Sequence, residues 1–282
     1  MIELTIDPAV SYLIPDSEVF TIALIGCGGT GSHIAQGLAR LAAHCRDSGG
    51  PQIALAFMDG DTVEHKNVGR QLFSVADVGK NKAQVLAARF SSVFGLHIAA
   101  FPQMLGDHNI THHGYGILVG AVDAARGRQY LNNQLHNWGW RLWVDCGNHE
   151  SSGQVIAGST GRVGVLKGAF KLPGLCGQLP TAPVLYPELL KVAPVVKSAD
   201  CAAAMQDNAQ SLMVNQMMAA IALQYIHQIV IRRRLTTFQT VVDLDSLAMR
   251  SDTITAANLS QATGLSVAQL RGQKQKKVKK AA

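Results

Sequence analysis

The sequence lacks the features that define several protein classes. It contains no run of eighteen apolar residues, so we expect no membrane-spanning helix. Its five cysteines form no CxxC pair, which argues against a disulfide framework and against a structural zinc site made of four cysteines. The first twenty residues hold no lysine or arginine, unlike a signal peptide, and the expected location is therefore cytoplasmic.

Charge is also scarce, and its distribution is uneven. Charged residues make up 16% of the chain and apolar residues 48%, a composition typical of a globular protein with a sizeable core. The net charge of +6 is matched by six cations in the last twelve residues, Arg271, Lys274, Lys276, Lys277, Lys279 and Lys280. The remaining chain is close to neutral, which does not favour nucleic-acid binding. We expect the basic tail to be a solvated end, with a docking arm as the alternative.

Strand and helix patterns alternate over the first half of the chain. Short apolar runs predict strands at 20–26, 51–59, 95–102, 114–123 and 141–147, and helical spacing predicts helices at 29–45, 78–94 and 125–138. This alternation is typical of a Rossmann-like α/β fold, with a mixed, mainly parallel sheet and helices on both faces.

The pattern changes after residue 147. We expect an antiparallel strand or hairpin at 153–168, an irregular crossover at 169–206, a long helix at 207–234 and a last strand at 238–247. The predicted organisation is an N-terminal segment (1–19), one main domain (20–247) and a C-terminal extension (248–282).

The sequence GCGGTG at 26–31 is a glycine-rich turn between a predicted strand and a predicted helix. Gly26, Gly28 and Gly31 fit the GxGxxG pattern, in which glycines let the backbone approach a phosphate at a helix N-terminus. Asp59 ends the next predicted strand, where an acidic residue binds a ribose in such folds. These features predict a nucleotide site, and an NAD-dependent oxidoreductase remains an alternative.

Further polar residues follow in the sequence DGDTVEHKNVGRQLF. Asp59, Asp61, Val63, Asn67, Arg70 and Gln71 occur in a pattern that continues with Lys82, with Asp123 and Arg128 after the fourth strand, and with Cys201 before the long helix. Over residues 20–245 this order resembles the ThiF/MoeB/HesA family, bacterial relatives of ubiquitin-activating enzymes. Among its subgroups, the chain is most similar to the ThiF-type member of PRTRC gene cassettes. One departure is Ala124, where the family has asparagine.

The resemblance implies an adenylyltransferase that uses ATP and Mg²⁺. Its substrate would be the C-terminal carboxylate of a ubiquitin-like or sulfur-carrier protein. The implied catalytic residues are Arg70, Lys82 and Asp123, with Asp123 also the magnesium ligand. The implied nucleotide-binding residues are Gly26, Gly28, Gly29, Gly31, Asp59, Asp61, Asn67, Gln71 and Arg128. The resemblance also implies a homodimer and a possible downstream conjugating protein. Zinc-binding members of the family carry two CxxC pairs, and this chain has neither, so we expect no structural zinc.

Several alternatives stay open. Cys201 could carry a thioester or persulfide, or be only a small residue, and Cys176 is a second candidate thiol. Arg126 competes with Arg128, and Asp123 could be a plain helix cap. The family also borrows an arginine from the partner's N-terminal segment, and residues 1–20 contain none. With Ala124, this keeps open a non-catalytic adaptor that binds a ubiquitin-like partner, beside adenylation of a small or tRNA-linked carboxylate.

Two other groups of residues have a structural and a functional interpretation. The histidines His108, His112 and His113 are expected to be loop residues, with a metal site as the alternative. The methionines Met213, Met217 and Met218 have helical spacing and are expected to pack in the core or in a dimer.

Overall fold

The structure is a computed structural model that describes residues 8–103, 110–191 and 212–273. The strands are β1 (Ser11–Tyr12), β2 (Val19–Ile25), β3 (Gln52–Met58), β4 (Ile98–Phe101), β5 (Tyr115–Gly120), β6 (Leu142–Asn148), β7 (Ser152–Gly158), β8 (Leu175–Cys176), β9 (Thr237–Asp243) and β10 (Ala248–Thr253). The α-helices are α1 (Gly29–Asp47), α2 (Lys82–Phe94), α3 (Ala125–Asn137), α4 (Ala182–Leu185), α5 (Leu212–Val230), α6 (Ala256–Thr263) and α7 (Val267–Leu270). Short 3₁₀ turns occupy His65–Asn67, Val75–Asp77, Val163–Leu166 and Pro187–Leu190.

Eight strands form the main sheet, in the order β10-β9-β7-β6-β5-β2-β3-β4. The five from β6 to β4 pair in parallel, whereas β7, β9 and β10 pair antiparallel. The chain order reverses between β2 and β5, the position at which ligands bind in open α/β sheets. The predicted Rossmann-like, mainly parallel fold is confirmed.

Alternate residues of β2 show that both faces of the sheet are covered. Phe20, Ile22 and Leu24 belong to the larger apolar core, which also contains buried residues of α1, α2 and α5. Ala23 and Ile25 point into a smaller core with residues of α3. Because side chains alternate along a strand, the two cores lie on opposite faces. Helices on both faces were predicted, and this is also confirmed.

The C-terminal part of the sheet differs from the sequence prediction. The strand predicted at 238–247 is not the last one, because β9 ends at Asp243 and β10 pairs with it. The sequence of β10, AMRSDT, carries no apolar alternation, since it is an edge strand with mostly exposed residues. Residue 247 therefore lies in the turn between two paired strands. Beyond β10, Leu259 and Leu270 are buried in the larger core.

Two other predicted elements differ in detail. The second helix begins at Lys82 rather than at 78, because Gly79 has a φ of +85° and the side chain of Asn81 caps α2 by accepting a hydrogen bond from the Gln84 amide. For 153–168, predicted as an antiparallel strand or a hairpin, the antiparallel strand is confirmed: β7 pairs with β6 and β9, ends at Gly158, and is followed by the 3₁₀ turn Val163–Leu166. Within the described residues, no helix is long and apolar enough to cross a membrane.

The histidines and methionines occupy different environments. His112 packs against Trp140 with ring centroids 4.6 Å apart and the ring planes inclined by 47°. Among the described residues, no cluster of three or more His, Cys, Asp or Glu side chains could bind a metal ion. Met218 is buried in the core, whereas Met213 and Met217 are exposed on α5. His108, Cys201, the crossover beyond residue 191, the start of the predicted helix at 207 and the lysines beyond 273 lie outside the described residues.

Candidate functional site

The glycine turn joins β2 to α1, and at some of its positions the backbone lies too close to other backbone atoms for a side chain. Gly26 has a φ of +91°, and its amide donates to the carbonyl of Met58 at 2.9 Å. A Cβ on Gly31 would lie 1.9 Å from the carbonyl oxygen of Gly26, whereas a Cβ on Gly28 would meet nothing within 4 Å. Gly31 therefore lets the helix start close to the end of β2, and Gly28 faces open space.

This difference gives a prediction for two alanine substitutions. We expect Gly31→Ala to destabilise the protein by more than about 3 kcal/mol, because the new methyl group overlaps backbone rather than a movable side chain. Gly28→Ala is expected to change the free energy of unfolding by less than about 1 kcal/mol, yet to weaken ATP–Mg²⁺ binding by narrowing the cavity. Urea denaturation and calorimetric titration measure the two effects. Equal stability of the two variants would contradict this account of the turn.

Asp59 connects the glycine turn to the end of β3. Its Oδ2 accepts a hydrogen bond from the Cys27 amide at 2.6 Å, and its Oδ1 accepts one from the Asp61 amide at 2.9 Å. Burial raises the pKa of Asp59, and the two backbone hydrogen bonds oppose this effect. The carboxylate of Asp59 thus holds the glycine turn in place through its hydrogen bond to the Cys27 amide. The ribose contact expected from sequence would be a second role of the same side chain.

Lys82 is the first residue of α2 and is held at the same edge of the sheet. Its Nζ lies 3.0 Å from Oδ2 of Asp61, and its side chain is 9% exposed, against 60% for Asp61. A cation in the first turn of a helix is unfavourable with respect to the helix dipole, so Asp61 and an anionic ligand would both stabilise it. Lys82 is therefore positioned to bind phosphate.

The segment between Asp61 and Lys82 is folded by its own polar side chains. Asn67 is buried, and its Oδ1 accepts from the Glu64 amide at 2.8 Å in a 3₁₀ capping box. Gln71 is buried as well, and its Oε1 has no hydrogen-bond partner within the described ranges. A buried unpaired amide oxygen is costly, which is consistent with a ligand contact at Gln71.

Leu72, directly after Gln71, has both its backbone amide and its backbone carbonyl hydrogen-bonded to side chains. Its amide donates to Oγ of Ser32 at 3.2 Å, and its carbonyl accepts from Nη1 of Arg89. Arg89 also lies 2.5 Å from Oδ2 of Asp77; burial opposes this ionisation, but hydrogen bonds from Ser74 and Arg89 lower the pKa of Asp77 below its usual value. These contacts fix the segment that carries Arg70 to both α1 and α2.

A cavity of about 490 Å³ lies at the carboxyl end of the parallel strands, where the chain order reverses. Its lining contains most of the residues predicted from sequence: Gly26, Gly28, Gly29, Asp59, Asp61, Asn67, Arg70, Gln71, Lys82 and Asp123. The structure thus brings together residues that are separated by almost a hundred positions in the chain. Among the predicted site residues that the structure describes, Gly31 and Arg128 are the two that do not line the cavity.

Arg128 has a structural environment that the sequence did not indicate. It is 4% exposed, and its Nε lies 3.3 Å from both carboxylate oxygens of the buried Asp145 on β6. Its Nη1 donates to the backbone carbonyl of Asp123 at 3.1 Å. Burial raises the pKa of Asp145 to about 6, although the charge of Arg128 opposes this shift. In the structure Arg128 forms an ion pair with Asp145 and separately supports the Asp123 backbone, whereas Arg126 lines the cavity.

Asp123 provides a carboxylate suited to a magnesium ion that arrives with a nucleotide. Its side chain is exposed at the cavity, and its carboxylate has no hydrogen bond or ion pair with the described residues. Magnesium prefers oxygen ligands and is commonly held by one or two carboxylates together with substrate phosphates. The available donor at Asp123 fits this mode of binding.

The four described cysteines are buried. Burial raises the pKa of the Cys176 thiol to about 12, and its Sγ donates to the Gln178 carbonyl at 3.1 Å. Burial also raises the pKa of Cys27 and of Cys146. A thiol with a raised pKa is a poor nucleophile, which argues against Cys176 as the transfer residue.

Sequence reasoning missed several residues of the cavity lining. These are Thr30 on α1, Cys146 and Asn148 on β6, Asn215 on α5, and Glu64 and Lys66 near the start of the polar segment. Glu64 and Lys66 lie within the sequence DGDTVEHKNVGRQLF, and their charges are the feature of the sequence that could have indicated a position at the cavity. Thr30, Asn148 and Asn215 are far apart in the chain, and no local pattern connects them.

Several curated proteins show sequence similarity to this chain. The NEDD8-activating enzyme E1 catalytic subunit of Dictyostelium discoideum is 31% identical over 121 residues, covering 42% of this chain and 25% of that protein. Its counterpart in Caenorhabditis elegans is 30% identical over 135 residues, covering 45% and 29%. The chain thus spans between 25% and 29% of the length of these two relatives.

Solved structures share the fold, and a family model identifies the chain. A crystal structure of E. coli MccB with MccA has a TM-score of 0.55 and 17% identity, covering 87% of this chain and 66% of that chain. PaaA has a TM-score of 0.51 and 16% identity, covering 83% and 64%. The model of the ThiF family matches residues 17–264. This chain belongs to the ThiF family.

Proposed function

We propose that the protein uses ATP to adenylate the C-terminal carboxylate of a ubiquitin-like or sulfur-carrier protein. The observation that carries this proposal is the grouping of Arg70, Lys82 and Asp123 around the glycine turn in one cavity of a ThiF-family chain. A dinucleotide site needs the glycine turn and Asp59, but it gives no use for two cations and a free carboxylate at the phosphates. The grouping therefore favours phosphate chemistry over hydride transfer.

The proposed reaction joins two anions. An oxygen of the carboxylate forms a bond to the α-phosphorus of ATP, and the bond from that phosphorus to the bridging oxygen of the β-phosphate breaks. Pyrophosphate leaves with the electron pair, and the product is an acyl-adenylate. No general base is required, because the carboxylate is already ionised at neutral pH. The main task of the site is to offset charge repulsion with fixed cations and donors.

The residues of the cavity match these requirements. Arg70 can bind phosphate oxygens in a bidentate manner, and Lys82 supplies a compact positive charge. Asn67 and Gln71 orient the phosphates or the incoming carboxylate, and Asp59 faces the ribose. A magnesium ion at Asp123 would neutralise charge on the phosphate oxygens. The amides at the start of α1 add donors and the positive end of the helix dipole.

The matched proteins support the general type of activity in this proposal. One matched relative is a catalytic subunit of a NEDD8-activating enzyme, and MccB has been crystallised with ATP and with MccA. We further propose a homodimer located in the cytoplasm and a second step at Cys201. In that step the thiolate sulfur of Cys201 forms a bond to the acyl carbon, the bond from that carbon to the adenylate oxygen breaks, and AMP leaves as the thioester forms. The dimer and this step both extend beyond the adenylation site, and Cys201 lies outside the described residues.

The test is ATP–pyrophosphate exchange in the presence of ubiquitin-fold proteins that end in glycine. We expect carrier-dependent exchange in the wild-type protein and a loss of at least about a thousandfold in the Arg70→Ala/Asp123→Ala double variant, since two charge-stabilising groups are removed. Arg162→Ala removes an exposed cation outside the cavity lining and is the matched control. Exchange that survives the double substitution would refute the assigned roles.

A further inference from the structure

Among the described lining residues, those of one wall of the cavity carry no charge. This wall is formed by Thr30 at the start of α1, Cys146 and Asn148 at the end of β6, and Asn215 on α5. The charged residues of the lining all come from 59–82 and from 123–126. We call the group Thr30, Asn148 and Asn215 the amide wall.

The amide wall is organised by its own hydrogen bonds. Asn148 donates from Nδ2 to Oγ1 of Thr30 at 3.2 Å and to Oδ1 of Asn215 at 2.7 Å. Thr30 donates from Oγ1 to the same oxygen of Asn215 at 2.9 Å. Asn215 is 1% exposed. A Cβ on Gly29 would lie only 2.8 Å from Nδ2 of Asn215, so the glycine leaves room for the Asn215 side chain. The three side chains therefore hold one another in place.

These bonds leave a defined pair of groups for a ligand. Asn148 uses both amide hydrogens within the amide wall, so its free group is the acceptor Oδ1. Asn215 uses only its oxygen, and its Nδ2 has no hydrogen-bond partner in the part of the chain that the structure describes. One acceptor and one donor match a peptide group, which carries both a carbonyl and an N–H. A phosphate has only acceptors and cannot satisfy Oδ1 of Asn148.

The position of the amide wall in the sheet supports the same ligand. Asp59 and Lys82, the nucleotide residues, lie at the end of β3, and the glycine turn lies at the end of its neighbour β2. Asn148 ends β6, on the other side of β2 beyond β5. The amide wall therefore lies on the β5–β6 side of the glycine turn, opposite Asp59, so a nucleotide with its ribose at Asp59 would leave this side of the cavity for the second substrate.

We propose that Thr30, Asn148 and Asn215 bind the last peptide group of the polypeptide substrate and place its carboxylate at the α-phosphate. This inference rests on the proposed adenylation, and it names the residues that bind the polypeptide substrate in that reaction. The wall favours a carboxylate that follows an uncharged peptide group, rather than a small carboxylic acid without an amide. Asn148 contacts this peptide directly, whereas Thr30 is a positioning residue that orients the two asparagines.

The test compares the affinities of two compounds. Sulfamoyladenosine mimics only the nucleotide part of the acyl-adenylate. Its glycylglycyl derivative is a stable analogue of the whole acyl-adenylate and contains one peptide group. We expect the derivative to bind the wild-type protein at least about tenfold more tightly, since two hydrogen bonds are added. In Asn148→Ala this gain is lost, while the affinity for sulfamoyladenosine is unchanged. The neighbouring His149→Ala, exposed and outside the cavity lining, keeps the gain.

Three results would overturn the inference. These are no gain in the wild-type protein, a gain that persists in Asn148→Ala, or an equal loss of affinity for both compounds in that variant. The comparison requires no turnover, so it is separate from the exchange assay. If the protein showed no ATP–pyrophosphate exchange but still bound the glycylglycyl derivative more tightly in an Asn148-dependent manner, the adenylation would be refuted and the peptide site would be retained.

Discussion

Replacing Lys82 by alanine is expected to lower kcat for ATP–pyrophosphate exchange by about a hundredfold to a thousandfold, the usual effect of removing one fixed group that stabilises developing charge. The ammonium group is held by Asp61 at 3.0 Å, and the side chain is 9% exposed. Water can fill the space left by the side chain but supplies no fixed positive charge, so the charge is lost from the site. Asp61 is itself largely exposed and remains solvated in the variant.

Lys80 provides the matched control for this prediction. It lies two residues earlier, is exposed and does not line the cavity. We expect Lys80→Ala to keep the wild-type kcat within about twofold, because an exposed charge outside the cavity is screened by solvent. If both alanine variants lost activity equally, net charge rather than the position of Lys82 would explain the effect.

The second large effect is expected at the buried ion pair between Arg128 and Asp145. Both side chains are almost fully enclosed, with 5% and 1% of their surfaces exposed. Replacing Asp145 by alanine leaves the guanidinium charge buried without its counter-ion, and we expect the free energy of unfolding to fall by about 3–5 kcal/mol. Urea denaturation of the purified variant measures this loss.

A double variant separates the charge from the packing. In Arg128→Met/Asp145→Leu no charge remains buried, and we expect most of the lost stability to return. The double variant should still show weakened exchange, because Arg128 no longer donates to the carbonyl of Asp123. A double variant that is less stable than Asp145→Ala would contradict the assignment of an unpaired buried charge as the cause.

The part of the site that is local in sequence could be predicted. The glycine turn and the polar segment from Asp59 to Gln71 lie beside strand ends, where the alternation of elements places them at one edge of the sheet. Lys82 follows at the start of the next helix. Their neighbourhood is fixed by the fold class alone, and the cavity lining contains them.

The choice between Arg126 and Arg128 could not be made from the sequence. Both lie at the start of α3, and the motif spacing favours Arg128. The structure turns Arg128 towards Asp145, a residue on a different strand, and this leaves Arg126 at the cavity. Which side of a helix faces a ligand depends on the partner buried beneath it, and that partner is set by tertiary packing.

The amide wall shows the same limitation over a longer distance. Thr30 and Asn215 are 185 residues apart, and each reads in the sequence as an ordinary polar residue of a helix. Only the packing of α5 against α1 brings them to Asn148. β10 was missed for a different reason, since an exposed edge strand has no apolar alternation to reveal it.

The most direct test of the central claim is mass spectrometry of the carrier after incubation with the protein, ATP and Mg²⁺. We expect a carrier species heavier by one adenylyl group, formed together with pyrophosphate and absent when the last two residues of the carrier are removed. An unmodified carrier that nevertheless binds the protein tightly, with ATP left intact, would contradict adenylation and identify a binding protein instead.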